Sequence, residues 1–519
     1  MSENNNCGYL KKTMSNVQAV PSRRQFLKTV ATVATFLSFK TGYAQKPLDL
    51  KKIRSRSKKP RNIIFILSDD HRYDFMGFMG KPSFLETPNM DRLAREGVHL
   101  QNTFVSTSLC SPSRASIFTG QYAHNHGVVD NISKVPEGTI FFPQYLHEIG
   151  YDTAFIGKWH MGEEVESDAP RPGFDRWISF PGLGHYFNPT LNIDGKKTEQ
   201  EGYITDILTD YAIDWLKQDR EKPFFLCLSH KAVHSLFKPA KRHLNKYAHV
   251  LLEYPKSMAN TEENYKGKPA WIKAQRDTYH GLDFMYYGHI DFDTFYRRYC
   301  ETLLGIDDSI GRVFDYLEES GSAETTLVLY MSDNGFSFGE HGLIDKRHMY
   351  EESIRMPLLI YCPEIIKPGL KISQMVQNID IAPTILELAG LEAPEYMDGW
   401  SFLPLLQGKE ISWRDVILYE YYWERNFPYT PTIHGIRTDR YKYIHYYGIW
   451  DTDEFYDLKS DPDEMHNLID SPEHQKLVKE YNERMFELLK STSGMQIPLR
   501  SDNPAIRWDR KHLKLITKE

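Results

Sequence analysis

The stretch NIIFILSDDH, residues 62–71, carries the first structural signal in this 519-residue chain. Ile63 to Leu67 are apolar without interruption. A strand with one wet face would alternate, whereas a strand covered on both faces reads as a continuous run. Four more runs share this texture: TAFIG (153–157), PFFLCL (223–228), TLVLYM (326–331) and PLLIYC (357–362). Helical periodicity lies between them, most clearly over 294–320. There Tyr296, Tyr299, Leu303, Ile306, Ile310, Val313 and Leu317 recur every three or four residues. Thr294 is placed to cap that helix and Gly321 to end it. Strands alternating with helices predict an α/β fold, with a mostly parallel sheet flanked by helices.

Past residue 410 the texture changes. DVILYEYYWE, GIRTDRYKYIHYY and EFYDL are short, aromatic and alternating, which predicts an antiparallel sheet. A closing helix is expected over 473–491. The expected organisation is an α/β catalytic domain over 62–410 and a smaller α+β subdomain over 411–519.

Ligands in open α/β sheets bind beyond the carboxyl ends of the strands. The first run ends in Ser68-Asp69-Asp70, the second in Lys158-Trp159-His160. The third leads to His230, Lys231 and His234, and the fourth to Ser332-Asp333-Asn334. Asp69, Asp70, Asp333 and Asn334 offer only oxygen, which selects a hard cation, Ca²⁺ or Mg²⁺, over zinc or copper. Either Asp69 or Asp70 alone would read as a helix cap; the set reads as a metal site. Unpaired, three carboxylates so close would repel one another and raise their pKa values.

SLCSPSRASIFTG (108–120) sets Cys110 in a polar, turn-prone context. A disulfide, a metal ligand, a buried filler and a catalytic precursor are all open readings. SPSR reads as a turn and RASIFTG as a short helix, with Cys110 at its N-terminus near Arg114. That position favours a negative oxygen or sulfur. Cys227 and Cys362 lie in apolar runs and Cys300 on a helix face; no spacing suggests a disulfide framework or a zinc site.

The segment CSPSRASIFTG resembles the signature of the type I sulfatases, in which the cysteine is oxidised to formylglycine (3-oxoalanine). Further blocks resemble that family in order along the chain: NIIFILSDDH, GKWHMG (157–162), SDNG (332–335), GLIDKRHMYEESIRMP (342–357) and EFYDLKSDPDEMHNL (454–468). The resemblance implies an alkaline-phosphatase-like core and hydrolysis of sulfate esters. It implies that Cys110 becomes an aldehyde whose hydrate is the nucleophile. One hydroxyl takes the sulfate, and the other expels it by reforming the aldehyde. Asp69, Asp70, Asp333 and Asn334, with the modified Cys110, would hold one Ca²⁺. Arg114 and Lys158 resemble the residues that steady the ionised diol, and His160 the base of the elimination step. His234 and Lys346 resemble the pair that grips the sulfate and protonates the leaving oxygen. AVHS stands where the family usually shows P-H-x-P, which loosens the assignment of His234. His126 would support the turn after the cysteine helix. A formylglycine-generating or anaerobic sulfatase-maturating enzyme becomes an implied partner.

The blocks AVHSLFKPA (232–240) and YWERNFPYTPT (422–432) resemble bacterial polysaccharide sulfatases near the N-acetylglucosamine-6-sulfatases. A sulfated carbohydrate, such as a 6-O-sulfated hexosamine, is therefore the expected substrate. Tyr421, Tyr422, Trp423, Phe427, Tyr429 and Trp450 are candidate sugar-stacking rings. An algal polysaccharide such as ulvan is an alternative substrate. A phosphate or phosphonate monoester hydrolase, and a non-catalytic glycan-binding relic, are alternative functions.

A net charge of −7 argues against nucleic-acid binding. A polyanionic substrate would need basic residues gathered locally. At the N-terminus, PSRRQFLK (21–28) precedes the apolar run TVATVATFLSF and the small-residue site GYA ending at Ala44. A run of eleven residues is too short to span a bilayer. Residues 1–44 therefore read as a cleaved export signal, twin-arginine or Sec, and 45–61 as a linker. Export to the periplasm or beyond is expected, with no membrane span.

Overall fold

The computed structural model describes residues 61–162, 168–448 and 452–498. The leader 1–44, the linker up to residue 60 and Trp450 lie outside them. The principal sheet contains β1 (Asn62–Ser68), β2 (Val98–Leu100), β3 (Asp152–Lys158), β4 (Arg176–Phe180) and β5 (Thr190–Ile193). It continues with β6 (Lys196–Glu199), β7 (Phe224–Ser229), β8 (Thr326–Ser332), β9 (Leu358–Tyr361) and β10 (Leu370–Ile372). Among the described residues the strand order is β10-β2-β9-β8-β1-β7-β3-β4-β5-β6. The five central strands, β8 to β4 in that order, are parallel. The run at 357–362 departs from this: β9 is antiparallel to both of its neighbours, and Cys362 lies beyond its end.

The unbroken apolar runs follow from cover on both faces. The helices that supply it are α1 (Pro88–Glu96), α2 (Cys110–Thr119), α3 (Phe142–Glu148), α4 (Ile204–Leu216) and α5 (Phe292–Glu319). Ile64, Ile66, Ala154, Ile156, Leu226 and Leu228 join a core with Leu208 of α4 and Ile306 and Ile310 of α5. The alternate residues meet the opposite layer: Phe65 and Phe155 contact Phe118 of α2, and Phe225 contacts Phe142 of α3. Each fully buried Ile, Leu or Phe contributes about 1.5–3 kcal/mol. A charged substitution in β1 thus has no wet face to occupy.

Two element boundaries differ from the sequence reading. The long helix starts at Phe292, because Asp291 caps it by accepting from the Thr294 amide at 2.9 Å. Thr294 is a helical residue, not the cap. SPSR is no turn either: α2 begins at Cys110 itself and runs to Thr119. Pro112 is its third residue, where no intrahelical donor is required. Gly120 ends the helix with φ 71°, a left-handed conformation natural to glycine.

A second sheet is the antiparallel meander β11 (Val416–Tyr421), β12 (Thr432–Thr438), β13 (Tyr441–Tyr447) and β14 (Glu454–Asp457). The helix α6 (Gln475–Ser491) packs Tyr481, Met485 and Leu489 against it. Polar ties join this sheet to the segments around α2. The Glu420 amide donates to the Ser106 carbonyl at 2.8 Å, and the Glu420 carboxylate lies 2.8 Å from His124 Nδ1. Burial lowers the pKa of His124, but Glu420 outweighs it and the net shift is upward from 6.5. Burial raises Glu420, but His124 outweighs it and holds it at about 2, below 4.5. The His124 contribution is full below its unfolded value of 6.5 and is lost as pH rises through the folded value. The Glu420 contribution is full above 4.5 and is lost as pH falls through about 2. Glu420→Gln should therefore cost about 3–5 kcal/mol near pH 5–6 and less at pH 9. Chemical denaturation at both pH values checks this, and a pH-independent loss would contradict the ion pair.

Candidate active site

Four adjacent parallel strands, β8, β1, β7 and β3, end on one rim of the sheet, and their tips carry the polar residues. After β1 the chain turns sharply, with Asp70 at φ 62°; after β3 it does so again, with His160 at φ 51°. Left-handed φ costs a non-glycine residue about 1–3 kcal/mol, a strain typical of functional sites. The Asp70 amide donates to Asp333 Oδ1 at 3.1 Å, and the Asn334 amide nitrogen donates to Asp70 Oδ1 at 2.6 Å. Residues 69–70 and 333–334 therefore meet despite 263 residues of separation.

Cys110 enters this cluster from the N-terminus of α2. Its Sγ lies 3.5 Å from Asp69 Oδ1 and 3.1 Å from Lys346 Nζ. Lys158 donates to Asp69 Oδ2 and Lys346 to Asp70 Oδ1. Arg114 Nε donates to Asp333 Oδ2 at 2.8 Å, and its Nη1 to the Lys158 carbonyl at 2.7 Å and Ser229 Oγ at 2.8 Å. His234 Nε2 stands 4.0 Å from Asp70 Oδ2, while Nδ1 donates to the Ser235 carbonyl at 2.6 Å. The Ser111 hydroxyl donates to the His160 carbonyl at 2.5 Å, which ties His160 to α2. Cys110, Arg114, Lys158, His234 and Lys346 are thus gathered around the four oxygen donors, with His160 adjoining through its backbone carbonyl.

Burial is nearly complete, and charge sets the rest. Burial raises the Asp69 carboxyl, but Lys158, His234, Arg114 and Lys346 hold it well below the usual range. Burial pushes Asp70 up to about 7; Lys346 opposes this, and Asp69 and Asp333 reinforce it. Burial and the neighbouring Asp69 likewise push Asp333 to about 6. Burial holds His160 and His234 well below 6.5. It also pushes the Cys110 thiol up, despite Lys158 and Lys346. For sulfur, burial therefore outweighs the anion-favouring position read from the sequence.

The donor set fits a cation. Oxygens of Asp69, Asp70 and Asp333 all lie within 4.8 Å of one another. Asp70 Oδ2 and Asn334 Oδ1 are buried and, among the described residues, have no hydrogen-bond partner. A hard divalent ion would occupy those oxygens and offset both the burial and the carboxylate repulsion that raise Asp70 and Asp333.

Neighbouring residues divide clearly. His230 points away: its Nε2 pairs with Ser309 Oγ of α5 at 3.0 Å. His126 is buried beneath α2, with Nε2 3.1 Å from Ser116 Oγ and Nδ1 accepting from the Val128 amide. Lys346 is framed by Asp345 and Arg347, and Arg347 Nε reaches Glu424 at 2.7 Å. Among the candidate aromatic residues, Tyr421 and Tyr422 are buried and donate their hydroxyls to Glu424 and Glu420. Trp423 and Tyr429 are exposed, and Phe427 lies under the Arg347 guanidinium at 4.2 Å. Lys231 was visible at a strand end but had no role from its sequence position; it is buried beside the cluster. The four cysteines among the described residues are buried and free.

This architecture, a mostly parallel sheet with charged strand tips around a helix-borne Cys110, defines a hydrolase core of the alkaline-phosphatase-like class. A sequence model of the sulfatase family matches residues 61–391, and one described as "N-sulphoglucosamine sulphohydrolase, C-terminal" matches 339–491. An N-acetylglucosamine-6-O-sulfatase of Bacteroides thetaiotaomicron is 34% identical over 500 residues, covering 85% of this chain and 87% of the relative. The N-acetylglucosamine-6-sulfatase of Capra hircus is 32% identical, covering 84% of each. A solved structure of a protein in complex with its substrate D-glucosamine-2-N,6-O-disulfate superposes with TM-score 0.74 at 34% identity, covering 87% of this chain and all of that one. The chain belongs to the sulfatase family and is a sulfuric ester hydrolase. Among the described residues no helix is long and apolar enough to cross a membrane.

Proposed function

We propose that this chain removes 6-O-sulfate from N-acetylglucosamine or glucosamine residues of a sulfated carbohydrate. The observation that carries the reading is the convergence of Cys110, Lys158, His234 and Lys346 on the Asp69–Asp70–Asp333–Asn334 cluster. The sugar is taken from the relatives that cover most of the chain: two are N-acetylglucosamine 6-sulfatases, and the solved neighbour holds a 6-O-sulfated glucosamine.

In this proposal Cys110 is converted to formylglycine by a formylglycine-generating or anaerobic sulfatase-maturating enzyme. Asp69, Asp70, Asp333 and Asn334, with the modified residue 110, would hold Ca²⁺. Together the aldehyde hydrate and the cation supply an oxygen nucleophile and Lewis-acid stabilisation of the sulfate charge.

The chain's own residues do the remaining work. Arg114, anchored on Asp333, has no partner for Nη2 among the described residues and sets its positive charge near residue 110. Lys158, held by Asp69, adds a second cation. Lys346 stays protonated: burial lowers its pKa, but Asp70 and its neighbours raise it well above the usual lysine range. His234 donates Nδ1–H to Ser235, so its neutral form presents a bare Nε2 to the site. Lys346 and His234 thus bring a proton and an acceptor to one point, where the leaving sugar oxygen requires protonation. His160, with Nδ1 unpaired, is available as the base that restores the resting state. Overall, one water is consumed, and the products are an alcohol, sulfate and a proton. The leader at 1–44 supports export to the periplasm or outside the cell.

Sulfate release from N-acetylglucosamine-6-sulfate should exceed release from ulvan oligosaccharides and from galactose sulfates by at least about tenfold in kcat/KM, the discrimination a few polar contacts provide. Equal or better turnover of ulvan would overturn the sugar assignment. A second reading is kept open by a multifunctional alkaline phosphatase superfamily protein of Trinickia caryophylli, 28% identical over 503 residues. Faster hydrolysis of an aryl phosphate than of the matching aryl sulfate would favour it.

A further inference from the structure

Among the described residues five lysines are buried: Lys158, Lys231, Lys268, Lys346 and Lys442. Four have oxygen acceptors. Lys158 and Lys346 bond Asp69 and Asp70, Lys268 bonds Tyr456 and the Glu464 carbonyl, and Lys442 bonds Glu464 and the Met349 carbonyl. Lys231 differs. The residue is 4% exposed, yet Nζ forms no hydrogen bond or salt bridge with a described residue and faces an aromatic ring instead. Its recorded contact is the face of the Tyr186 ring, 4.7 Å from the centroid. A cation–π contact returns only part of what an ammonium loses on leaving water.

The position of this cation is specific. Lys231 leaves the tip of β7, three residues before His234, whose amide donates to the Lys231 carbonyl at 3.0 Å. The Tyr186 hydroxyl donates to the His234 carbonyl at 2.6 Å, so the ring beneath Lys231 also fixes His234. Burial depresses the Lys231 ammonium to about 7, Lys158 depresses it further, and Asp69, Asp70 and Cys110 act in the opposite direction. Those two carboxylates are already engaged by Lys158 and Lys346. Arg114 Nη2 is a buried donor of the same cluster that has no partner among the described residues. Two cationic donors without acceptors in one site call for an anion from outside, and a neutral ligand would leave the charge of Lys231 uncompensated.

We propose that Lys231 is a further anion-binding residue of this site, and that its ligand is the tetrahedral oxyanion itself: the sulfate of the ester and then of the product. This rests on the sulfatase reading above and adds to it a residue that neither the family signature nor the strand-end pattern assigned. Lys231 acts by holding the sulfate; no bond-breaking step is assigned to it.

Lys231→Met and Lys231→Arg in the mature, cation-loaded enzyme test the proposal, with inorganic sulfate as the probe. Lys231→Met should weaken inhibition by sulfate roughly tenfold or more, the scale of a lost charged hydrogen bond. KM for the sulfate ester should rise by a similar factor, with a smaller change in kcat. Lys231→Arg should recover part of both. Without anion, Lys231→Met should melt no lower than wild type, because it removes an uncompensated buried charge. The upward shift that sulfate produces in the wild-type melting temperature should shrink. Unchanged sulfate inhibition in Lys231→Met would overturn the proposal, and so would a lower anion-free melting temperature with unchanged KM. The melting shift with sulfate needs no turnover, so it tests Lys231 even if the carbohydrate assignment fails.

Discussion

Cys110→Ala is expected to abolish sulfate release, by a factor on the order of 10⁴–10⁶, while the protein still folds. The size of the loss follows from the role: no other side chain in the cluster can carry the sulfate and then release it. Lys158, Lys346 and Arg114 would still bind the ester, so substrate affinity should change far less than kcat. The structural cost should stay near 1 kcal/mol. The Cys110 side chain is small, and it contributes a weak contact to Asp69 and one to Lys346. Turnover in Cys110→Ala within tenfold of wild type would remove this residue from the mechanism, and loss of folding would make it structural.

The second large effect is expected for Asp70→Asn. Asp70 Oδ1 serves Asn334 and Lys346, and Oδ2 is a buried oxygen without a partner. Replacing the carboxylate by an amide keeps the shape, removes one unit of charge and turns one oxygen position into a donor. Activity should fall by about 10²–10³ or more. The Ca²⁺ concentration that restores half of the remaining activity after chelation should rise by at least about tenfold. In the chelated protein the same substitution should not destabilise, because it removes a carboxylate that burial, reinforced by Asp69 and Asp333, already drives to about 7. Wild-type activity with an unchanged cation requirement in Asp70→Asn would contradict the metal assignment.

The parts of this molecule that were readable from its sequence are those set by local pattern. Ile63 to Leu67 announced a strand covered on both faces, and the polar residues after each such run announced a common rim. The start of α5 was misread because Asp291 and Thr294 are both competent caps, and only the backbone angle at Asp291 separates them. SPSR was misread as a turn because the first turn of a helix draws on the same residue types, whereas Cys110 does stand at the N-terminus of α2 as expected. Of the candidate stacking rings, each more readily read singly as core, Tyr421 at the end of β11 and Tyr422 against Ala123 and Val129 are indeed buried. Lys231 was visible at a strand end, but its role was not readable, for a different reason. What marks it is the absence of an acceptor in three dimensions, and no spacing along the chain records an absence. The same holds for Asp70 Oδ2 and Asn334 Oδ1, whose lack of partners appears only once residues 69–70 and 333–334 meet.

The most direct measurement is the mass of the tryptic peptide from Glu96 to Arg114, taken from active enzyme matured in its own host. An aldehyde, or its hydrate, in place of the Cys110 thiol is the expected result. A peptide that carries the unmodified thiol, in protein that releases sulfate at full rate, would contradict the assignment of residue 110 as the nucleophile precursor.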